Sequence, residues 1–423
     1  MTSLEIKPIL QPLNATVRVH GSKSLTNRAL LIASLANGTT RLTNALFSDD
    51  SRYFAGALKT LGFDVRLDEA NQGMSVVGLG GKIPAPKAEL FIGNAGTAAR
   101  FLSAFLTLGN GEFILDGDAR MRERPIGNLV DAVANLGAKL ETMNGCPPVK
   151  IKASGLRGGK TKIAGDISSQ FLSALLMVAP YAQQPIEIEV ITELNSKPYV
   201  DMTLATMKDF GINVERDNYS QFTIHPAGYS PLSHYAIESD ASAASYFFAA
   251  PAICGGTVRV ENVSRQSKQG DIAFLNILQR MGCAIKECDD FIEVAGAQSL
   301  YGVDVDMCDI PDTAQTLAAI APFASSPTRI RGIASARLKE TDRIRATCTE
   351  LARLGVQVQE HEDGMTIYPC GKFIPATIRT YNDHRMAMAF SLIGLRMDSV
   401  TIENPSCVSK TFPNYFEVLE SLR

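Results

Sequence analysis

One short phrase occurs five times in the chain at a nearly constant interval, and it restricts the possible folds more than any other feature. Each copy joins an apolar helix end, a glycine and the start of a strand, in LKTLGFDV, VANLGAKL, MKDFGINV, LQRMGCAI and LARLGVQV. The glycines are spaced 75, 74, 71 and 73 residues apart, at Gly62, Gly137, Gly211, Gly282 and Gly355. A glycine after the last helical turn takes the left-handed conformation that ends a helix. Five such signals at one period predict an internal repeat.

A second phrase recurs in step with the first and consists of a polar segment, an Ala- and Leu-rich helix, and an alternating strand. Its polar positions step by 72, 72, 74, 72 and 71 residues, at Ser22, Asn94, Asp166, Asp240, Asp312 and Asp383. The strands that follow are TTRLTNA, GEFILDG, QPIEIEV, GTVRVEN, PTRIRGI and DSVTIEN, whose period of two is typical of strands with one buried face. Each unit therefore reads helix, strand, helix with a terminal glycine, and two further strands.

The six units are predicted to form two domains. A chain of 423 residues is too long for one ordinary core. The sixth unit stops at its second helix, so we expect its missing strands to come from the N-terminal segments LEIKPIL and ATVRVHG. The segment YSPLSHYA, 229–236, carries Pro and Ser and is the predicted hinge. The predicted domains are residues 21–236, with units one to three, and residues 1–20 with 237–423, which contain both termini.

Composition argues against several classes of protein. A net charge of −3, with 45% hydrophobic and 20% charged residues, is typical of a globular protein without general attraction to nucleic acid or membrane. The start MTSLEIKPILQPL lacks the pattern of a signal peptide. Eight cysteines without a CxxC pair, and five histidines without HExxH, argue against a protein-held metal and are consistent with a reducing compartment. We therefore expect a cytoplasmic protein without a bound metal.

Polar residues are concentrated at the predicted helix starts. Helix N-termini present free N–H groups and a positive dipole end, and so they attract anions. The residues in question are Lys23, Ser24, Arg28, Asn94, Gly96, Thr97, Ser168, Ser169, Gln170, Asp312, His384 and Arg385. Taken singly, the serines and aspartates are explained as helix caps, and the runs 120–125 and 336–345 as solvated charged surfaces. Together they predict an anion-binding site.

Eight motifs give the chain a resemblance to a known family. They are GSKSLTNRAL, GNAGTAAR, RMRERPI, GDISSQFLSALL, SKPYVDMTL, LKETDR, YNDHRMAMAF and SKTFPNYF, which follow one another between residues 21 and 416. In these motifs the chain resembles the 5-enolpyruvylshikimate-3-phosphate synthases, a family of enolpyruvyl transferases. The resemblance implies an α/β fold arranged as a two-domain inside-out α/β barrel. Each domain would hold three βαβαββ units, with helix N-termini facing the interdomain cleft.

The resemblance also implies a reaction. The enolpyruvyl group of phosphoenolpyruvate would be transferred to the 5-hydroxyl of shikimate 3-phosphate, with release of phosphate, in the shikimate pathway of aromatic amino-acid biosynthesis. Addition would give a tetrahedral intermediate and elimination would follow, so acid and base exchange roles. The expected partners are these two small molecules, without cofactor, nucleic acid or membrane, and the expected state is a monomer. Membership would make the protein a target of glyphosate.

Residue roles are implied by the same motifs. The phosphoenolpyruvate set would be Lys23, Gly96, Arg124, Gln170, Arg343, Arg385 and Lys410. The shikimate 3-phosphate set would be Lys23, Ser24, Arg28, Ser168, Ser169, Gln170, Ser196, Tyr199, Asp312, Ser335 and Lys339. The catalytic residues would be Lys23, Asp312, Lys339, Glu340 and His384. Asp312 would remove the hydroxyl proton, while Glu340 and Lys23 would serve proton transfer at carbon 3, and Asp383 would cap or orient its helix.

Departures from the family pattern and two alternatives remain. Ala99 and Phe101 stand where many relatives have Met and Pro, and Ser335 stands where Asn is common. One alternative is a UDP-N-acetylglucosamine enolpyruvyl transferase, but residues 110–130 lack the cysteine typical of that family. The other is a non-catalytic binder of anions or nucleic acid. The absence of Trp, and the acidic Asp312 and Glu340 among basic residues, argue against it.

Overall fold

The computed structural model describes residues 2–423, which form twelve α-helices and 23 β-strands. The helices are α1 (Lys23–Leu35), α2 (Asp49–Thr60), α3 (Gly96–Leu106), α4 (Gly127–Asn135), α5 (Ser169–Val178), α6 (Lys197–Asp209), α7 (Ala241–Cys254), α8 (Phe274–Arg280), α9 (Ala314–Ile320), α10 (Arg343–Arg353), α11 (His384–Gly394) and α12 (Tyr415–Glu420). The strands are β1 (Ser3–Ile6), β2 (Leu13–Arg18), β3 (Asn37–Thr43), β4 (Val65–Asp68), β5 (Gly73–Leu79), β6 (Lys87–Phe91), β7 (Asn110–Asp116), β8 (Lys139–Met143), β9 (Cys146–Ser154), β10 (Gly159–Ile163), β11 (Ile186–Val190), β12 (Glu215–Asp217), β13 (Gln221–Ile224), β14 (Tyr235–Ala236), β15 (Gly256–Glu261), β16 (Ala284–Glu287), β17 (Phe291–Ala295), β18 (Asp304–Asp306), β19 (Thr328–Arg331), β20 (Val358–His361), β21 (Gly364–Ile367), β22 (Ala376–Ile378) and β23 (Val400–Glu403). Among these residues, no helix combines the length and the apolar character that a membrane span requires.

Contacts between residues divide the chain into two compact units. One, the continuous unit, is Gly21–Ile237. The other, the discontinuous unit, joins the residues up to His20 with Glu238–Arg423. Each unit contains its own cluster of buried apolar side chains, so each has a separate hydrophobic core.

The continuous unit contains three four-stranded sheets of one design. Their strand orders are β14-β3-β5-β4, β6-β7-β9-β8 and β10-β11-β13-β12. In every sheet the first pair is parallel and the other two pairs are antiparallel. Buried and more exposed residues alternate along the strands, as in β6, so one face of each sheet packs on the core.

The discontinuous unit repeats this design with the help of the N-terminal strands. Its sheets have the orders β2-β15-β17-β16, β18-β19-β21-β20 and β22-β23-β1. The prediction that both N-terminal segments complete the sixth unit is only half right. Strand β1 does pair with β23, but β2 runs parallel to β15 and completes the fourth unit. In that sheet β2 takes the parallel edge position that β14 takes beside β3, and its Leu13 and Val17 are buried in the core.

The predicted hinge at 229–236 is wrong, because this segment packs onto the continuous unit. The hydroxyl of Tyr229 donates to the carbonyl oxygen of Met177 at 2.9 Å, and that of Tyr235 donates to Asp209 Oδ2 at 2.9 Å. Tyr235 also begins β14. The chain passes between the units at 20/21 and 237/238, where the predicted domain boundaries were 20/21 and 236/237.

The predicted repeat is visible in the backbone. All five period-setting glycines follow helices and have positive φ angles, of 94°, 99°, 93°, 106° and 81° in chain order. The six predicted alternating strands are β3, β7, β11, β15, β19 and β23. The helix openings are less regular: Ser22, Asp240 and Asp383 cap α1, α7 and α11 with their side chains. The alternative interpretation of Asp312 as a helix cap is wrong. Asp312 lies within the 3₁₀ turn Pro311–Thr313, and its carboxylate binds Arg343 and Arg385.

Candidate active site

Arg343 is the centre of a buried group of charged side chains in the discontinuous unit. Its Nε donates to Asp383 Oδ2 at 2.7 Å, and its Nη2 donates to Glu340 Oε2 at 2.7 Å. Its Nη1 donates to Asp312 Oδ1 at 3.2 Å. One guanidinium therefore links three carboxylates, as the fork of an arginine allows and a lysine ammonium does not.

The charge of Arg343 is fixed by these neighbours. Burial acts against a charged guanidinium, but the carboxylates of Asp383, Glu340 and Asp312 outweigh it and hold the pKa of Arg343 above its usual value. Arg343 is therefore a cation at neutral pH.

Arg385 supplies a second guanidinium to the same group. Its Nη2 donates to Asp312 Oδ2 at 2.8 Å, and its Nη1 donates to the Asp312 carbonyl oxygen at 2.9 Å. Its backbone N–H donates to Asp383 Oδ1 at 2.9 Å, which caps α11. The expectation that Asp383 caps or orients this helix is confirmed.

Two lysines complete this group, which we call the arginine cluster: Asp312, Lys339, Glu340, Arg343, Asp383, Arg385 and Lys410. The Nζ of Lys339 lies 3.8 Å from Asp312 Oδ1, and that of Lys410 lies 3.9 Å from Glu340 Oε1. The cluster holds four cationic side chains and three carboxylates, so positive charge is in excess. His384 lies beside it, with Nδ1 at 3.6 Å from Asp383 Oδ1. A partly compensated cationic group of this kind suits an anionic ligand.

Local structure explains how the cluster is held. The helices α10 and α11 both begin at it, with Arg343 as the first residue of one and His384 as the first residue of the other. Asp342 caps α10 by accepting the Arg345 N–H at 3.0 Å. Behind the start of α11, residues 386–394 are all buried, so packing fixes the direction of the charged side chains.

In the continuous unit, Gly96 and Arg124 lie against each other. A Cβ on Gly96 would come within 2.5 Å of Arg124 Nη2, so a larger residue at the start of α3 would displace the Arg124 guanidinium. Arg124 Nη1 donates to the carbonyl oxygen and Oδ1 of Asn94, at 3.1 and 2.8 Å. Gln170 is near this helix start, with Nε2 at 3.4 Å from Thr97 Oγ1. The structure therefore brings together Gly96, Arg124 and Gln170.

Lys23 and Arg28 lie on α1 in different environments. Lys23 Nζ is 3.7 Å from the buried carboxylate of Asp50. The guanidinium of Arg28 is directed at protein groups: Nε donates to Thr203 Oγ1 at 2.8 Å, and Nη2 donates to the Tyr199 carbonyl oxygen at 3.0 Å. Burial lowers the pKa of Arg28 to about 10. The side chain also lies over the ring of Phe101, 5.3 Å from its centre.

The remaining serines of the implied sets lie at or near helix starts. Ser168 caps α5 by accepting the Gln170 N–H at 3.3 Å, and Ser169 is the first residue of that helix. Ser196 precedes α6 with a φ of +57°. Ser335 is buried in the 3₁₀ turn Ala334–Leu338.

Sequence reasoning missed three side chains that the structure places among these residues. Asp50 is the partner of Lys23, and Tyr246 lies with its hydroxyl 3.5 Å from Arg385 Nη1. Arg100 ties two backbone segments together, with Nη1 donating to the Gly96 carbonyl oxygen at 3.2 Å and Nη2 to that of Pro125 at 2.8 Å. A charged residue inside the apolar helix 96–106 was a signal for Arg100. Across residues 2–423, no three His, Cys, Asp or Glu side chains form a group suited to a metal ion.

Comparisons with known proteins agree over the length of the chain. Residues 8–419 match the family model described as EPSP synthase (3-phosphoshikimate 1-carboxyvinyltransferase). The chain is 51% identical over 418 residues to the 3-phosphoshikimate 1-carboxyvinyltransferase of Nostoc punctiforme, covering 98% of each chain. It is 50% identical over 426 residues to that of Sulfurovum sp., covering 100% of this chain and 99% of the relative. A solved structure of EPSP synthase from Acinetobacter baumannii superposes with a TM-score of 0.82 at 26% identity, covering 99% of this chain and 97% of the other.

The repeated α/β units match the solved structures of EPSP synthases, which are enolpyruvyl transferases. Within that class, the family match and the two relatives show that the chain belongs to the EPSP synthase family. The prediction of the family and of the α/β fold is confirmed.

Proposed function

We propose that the protein is a 3-phosphoshikimate 1-carboxyvinyltransferase, which transfers the enolpyruvyl group of phosphoenolpyruvate to the 5-hydroxyl of shikimate 3-phosphate. The observation that carries the proposal is that two arginines bind the carboxylate of Asp312. Arg343 and Arg385 bind its two carboxylate oxygens, at 3.2 and 2.8 Å, with Lys339 beside it. This arrangement supplies a carboxylate base next to cations that can bind an anionic substrate.

Charge on the substrates explains the number of cations. Two phosphates and two carboxylates carry about five negative charges together. For phosphoenolpyruvate we assign Arg343, Arg385 and Lys410, together with Lys23, Gly96, Arg124 and Gln170. Arginine forks match the geometry of carboxylate and phosphate oxygens. No step of the reaction changes the oxidation state of the reactants, so charge stabilisation and proton transfer account for the chemistry.

Shikimate 3-phosphate is assigned chiefly to the continuous unit. The assigned residues there are Lys23, Ser24, Arg28, Ser168, Ser169, Gln170, Ser196 and Tyr199. Several lie at the starts of α1, α5 and α6, where free N–H groups favour phosphate oxygens. From the discontinuous unit we add Asp312, Ser335 and Lys339.

The proposed chemistry has two steps. In the addition, Asp312 accepts the proton of the 5-hydroxyl, whose oxygen bonds to carbon 2 of phosphoenolpyruvate while carbon 3 gains a proton. In the elimination, the new methyl group loses a proton, the double bond re-forms and the bond between carbon 2 and the phosphate oxygen breaks. We assign proton transfer at carbon 3 to Glu340 and Lys23, and charge stabilisation to Lys339 and His384.

The test is phosphate release from shikimate 3-phosphate plus phosphoenolpyruvate in the presence of EDTA. A parallel reaction offers UDP-N-acetylglucosamine as the acceptor. We expect phosphate only with shikimate 3-phosphate, and an undiminished rate with chelator. Release only with the sugar nucleotide, or with neither acceptor from a folded sample, would contradict the proposal.

We further propose that the enzyme is a monomer and works in the cytoplasm. Light scattering coupled to size exclusion should give a mass near 45.6 kDa. A mass near twice that value would contradict the monomer.

A further inference from the structure

An unusual turn leads directly into α11 and the arginine cluster. Tyr381 and Asn382 both have left-handed backbone angles, with φ of +53° and +56°. Asn adopts this conformation readily, but a bulky residue such as Tyr does so only when its surroundings hold it there. Asp383, which caps α11 and binds Arg343, is the next residue. The direction of Asp383 therefore depends on what holds the turn.

A buried carboxylate on α10 holds one end of this turn. Glu350 has no exposed surface, and its two oxygens each accept a bond from the turn segment. Oε2 accepts the backbone N–H of Arg379 at 3.0 Å, and Oε1 accepts the hydroxyl of Tyr381 at 2.8 Å. Burial, with the nearby Glu350 carboxylate, raises the pKa of Tyr381 to about 12, so the phenol remains a hydrogen-bond donor at neutral pH.

The other end of the turn is held by the same helix. Arg343, seven residues before Glu350 and so on the same face of α10, binds both carboxylate oxygens of Asp383 at 2.7 and 3.2 Å. Helix α10 thus holds the turn through Glu350, which binds Arg379 and Tyr381, and through Arg343, which binds Asp383 beyond the left-handed pair. Breaking the Glu350 end would leave the turn free to relax to commoner backbone angles.

We propose that Glu350 is a positioning residue, which acts through the 379–383 turn to aim Asp383 and Arg385 in the arginine cluster. This inference rests on the proposed function for its catalytic consequence. The hydrogen bonds of Glu350 are to Arg353, Arg379 and Tyr381, which are not assigned to substrate, so its effect is indirect. A purely structural role for Glu350 would predict loss of stability without a selective change in turnover.

The chain offers a matched control for the test. Arg353 Nη1 donates to both oxygens of Glu350, at 3.3 and 3.1 Å, and its side chain is 38% exposed. Both Glu350→Gln and Arg353→Gln remove this ion pair, but only the first changes the acceptors for Arg379 and Tyr381. A second variant, Tyr381→Phe, removes one hydrogen bond at a partly exposed side chain.

The measurements are kcat, KM for phosphoenolpyruvate, and the dissociation constant of shikimate 3-phosphate, all well below the melting temperature of each variant. For Glu350→Gln we expect kcat to fall about tenfold to hundredfold and KM for phosphoenolpyruvate to rise. Binding of shikimate 3-phosphate should stay within about twofold of wild type, since its assigned residues lie chiefly in the continuous unit.

Tyr381→Phe should show a smaller fall in kcat, and Arg353→Gln should keep the wild-type kcat. Unchanged kcat and KM in both Glu350→Gln and Tyr381→Phe would overturn the inference, as would an equal loss in Arg353→Gln.

Amide hydrogen exchange tests the positioning role of Glu350 independently of the proposed function. Peptides covering residues 379–385 should exchange faster in Glu350→Gln and Tyr381→Phe than in wild type and Arg353→Gln. If wild type releases no phosphate but this pattern appears, the proposed function fails while the grip of Glu350 on the turn is supported. If exchange is the same in all four proteins, Glu350 does not position the turn.

Discussion

At the scale of single residues, Arg343 shows why the cluster needs its own carboxylates. A buried guanidinium without a partner costs several kcal/mol, and the three carboxylates remove that cost. The same carboxylates leave the cluster with one net positive charge instead of four. We infer that the acids hold the cations in place until the substrate oxygens take over part of their hydrogen bonding.

Arg385→Ala should reduce turnover far more than stability. The substitution removes two hydrogen bonds to Asp312, but Arg343 still compensates the Asp312 charge at 3.2 Å. We expect kcat/KM for phosphoenolpyruvate to fall by more than about a hundredfold, as when one charge-stabilising donor is lost. The melting temperature should fall by only a few degrees, as for losses of about 1–2 kcal/mol. Steady-state kinetics and calorimetry on the same sample decide the matter, and comparable losses in both would refute the assigned role.

Gly96→Ala should weaken the use of phosphoenolpyruvate. The added Cβ would lie 2.5 Å from Arg124 Nη2, so Arg124 must move away from its place against α3. We expect KM for phosphoenolpyruvate to rise about tenfold or more, because a charge-assisted contact is displaced. Gly127→Ala is the control, since its Cβ would make only ordinary contact, at 3.5 Å from the Gly145 Cα. A wild-type KM in Gly96→Ala would contradict the assignment of Arg124 to this substrate.

The sequence could predict the structural role of some site residues but not of others. The cap role of Asp383 was predictable, since a polar residue preceded an apolar helix. The burial of Arg343 was not, because ARLKETDRIR also fits a solvated helix with charged neighbours. Its partners Asp312 and Asp383 are 31 and 40 residues away in sequence, and only the fold brings them together.

At the scale of elements, the repeat glycines should each carry a measurable part of the stability. Gly211 has a φ of +93°, and a Cβ there would meet Ser230 Oγ only at 3.4 Å, so the cost of Gly211→Ala is almost entirely in the backbone. We expect a loss of about 1–2 kcal/mol. Gly228→Ala is the matched control in the same unit, with nothing within 4 Å of the added carbon and no positive φ. Equal denaturant midpoints for the two variants would contradict the need for glycine at this helix end.

Strand positions were predictable, whereas one strand partner was not. The period of two placed all six strands that follow the repeat helices, because alternation depends only on neighbouring residues. The partner of β2 depends on chain connections, and alternation is the same in either sheet. The segment ATVRVHG therefore gave a correct strand and an incorrect partner.

At the scale of the whole molecule, two edge strands decide where each unit ends. Strand β2 precedes the continuous unit in sequence, yet it completes a sheet of the discontinuous unit beside β15. Strand β14 lies at the end of the continuous unit and completes the sheet of β3. The boundaries therefore fall after each of these strands, at His20 and Ile237, and not within a loosely packed linker.

A fragment of residues 21–237 should fold by itself, and one of residues 21–228 should not. The longer fragment keeps a complete core and all strands of its three sheets. The shorter one loses β14 and the buried Tyr229 and Tyr235, each worth about 3–5 kcal/mol as a large buried side chain. That sum approaches the whole stability of a typical domain, which is about 5–15 kcal/mol.

Thermal unfolding followed by circular dichroism distinguishes the two fragments. We expect a cooperative transition for 21–237, and for 21–228 either no transition or one more than about 10 °C lower. As a control, 21–237 carrying Tyr229→Phe and Tyr235→Phe loses the two hydroxyl bonds but keeps both buried rings, and should still melt cooperatively. Equal melting of 21–237 and 21–228 would mean that 229–236 is a hinge after all, as its Pro and Ser content indicated. No cooperative transition in 21–237 would mean that this unit depends on the rest of the chain to fold.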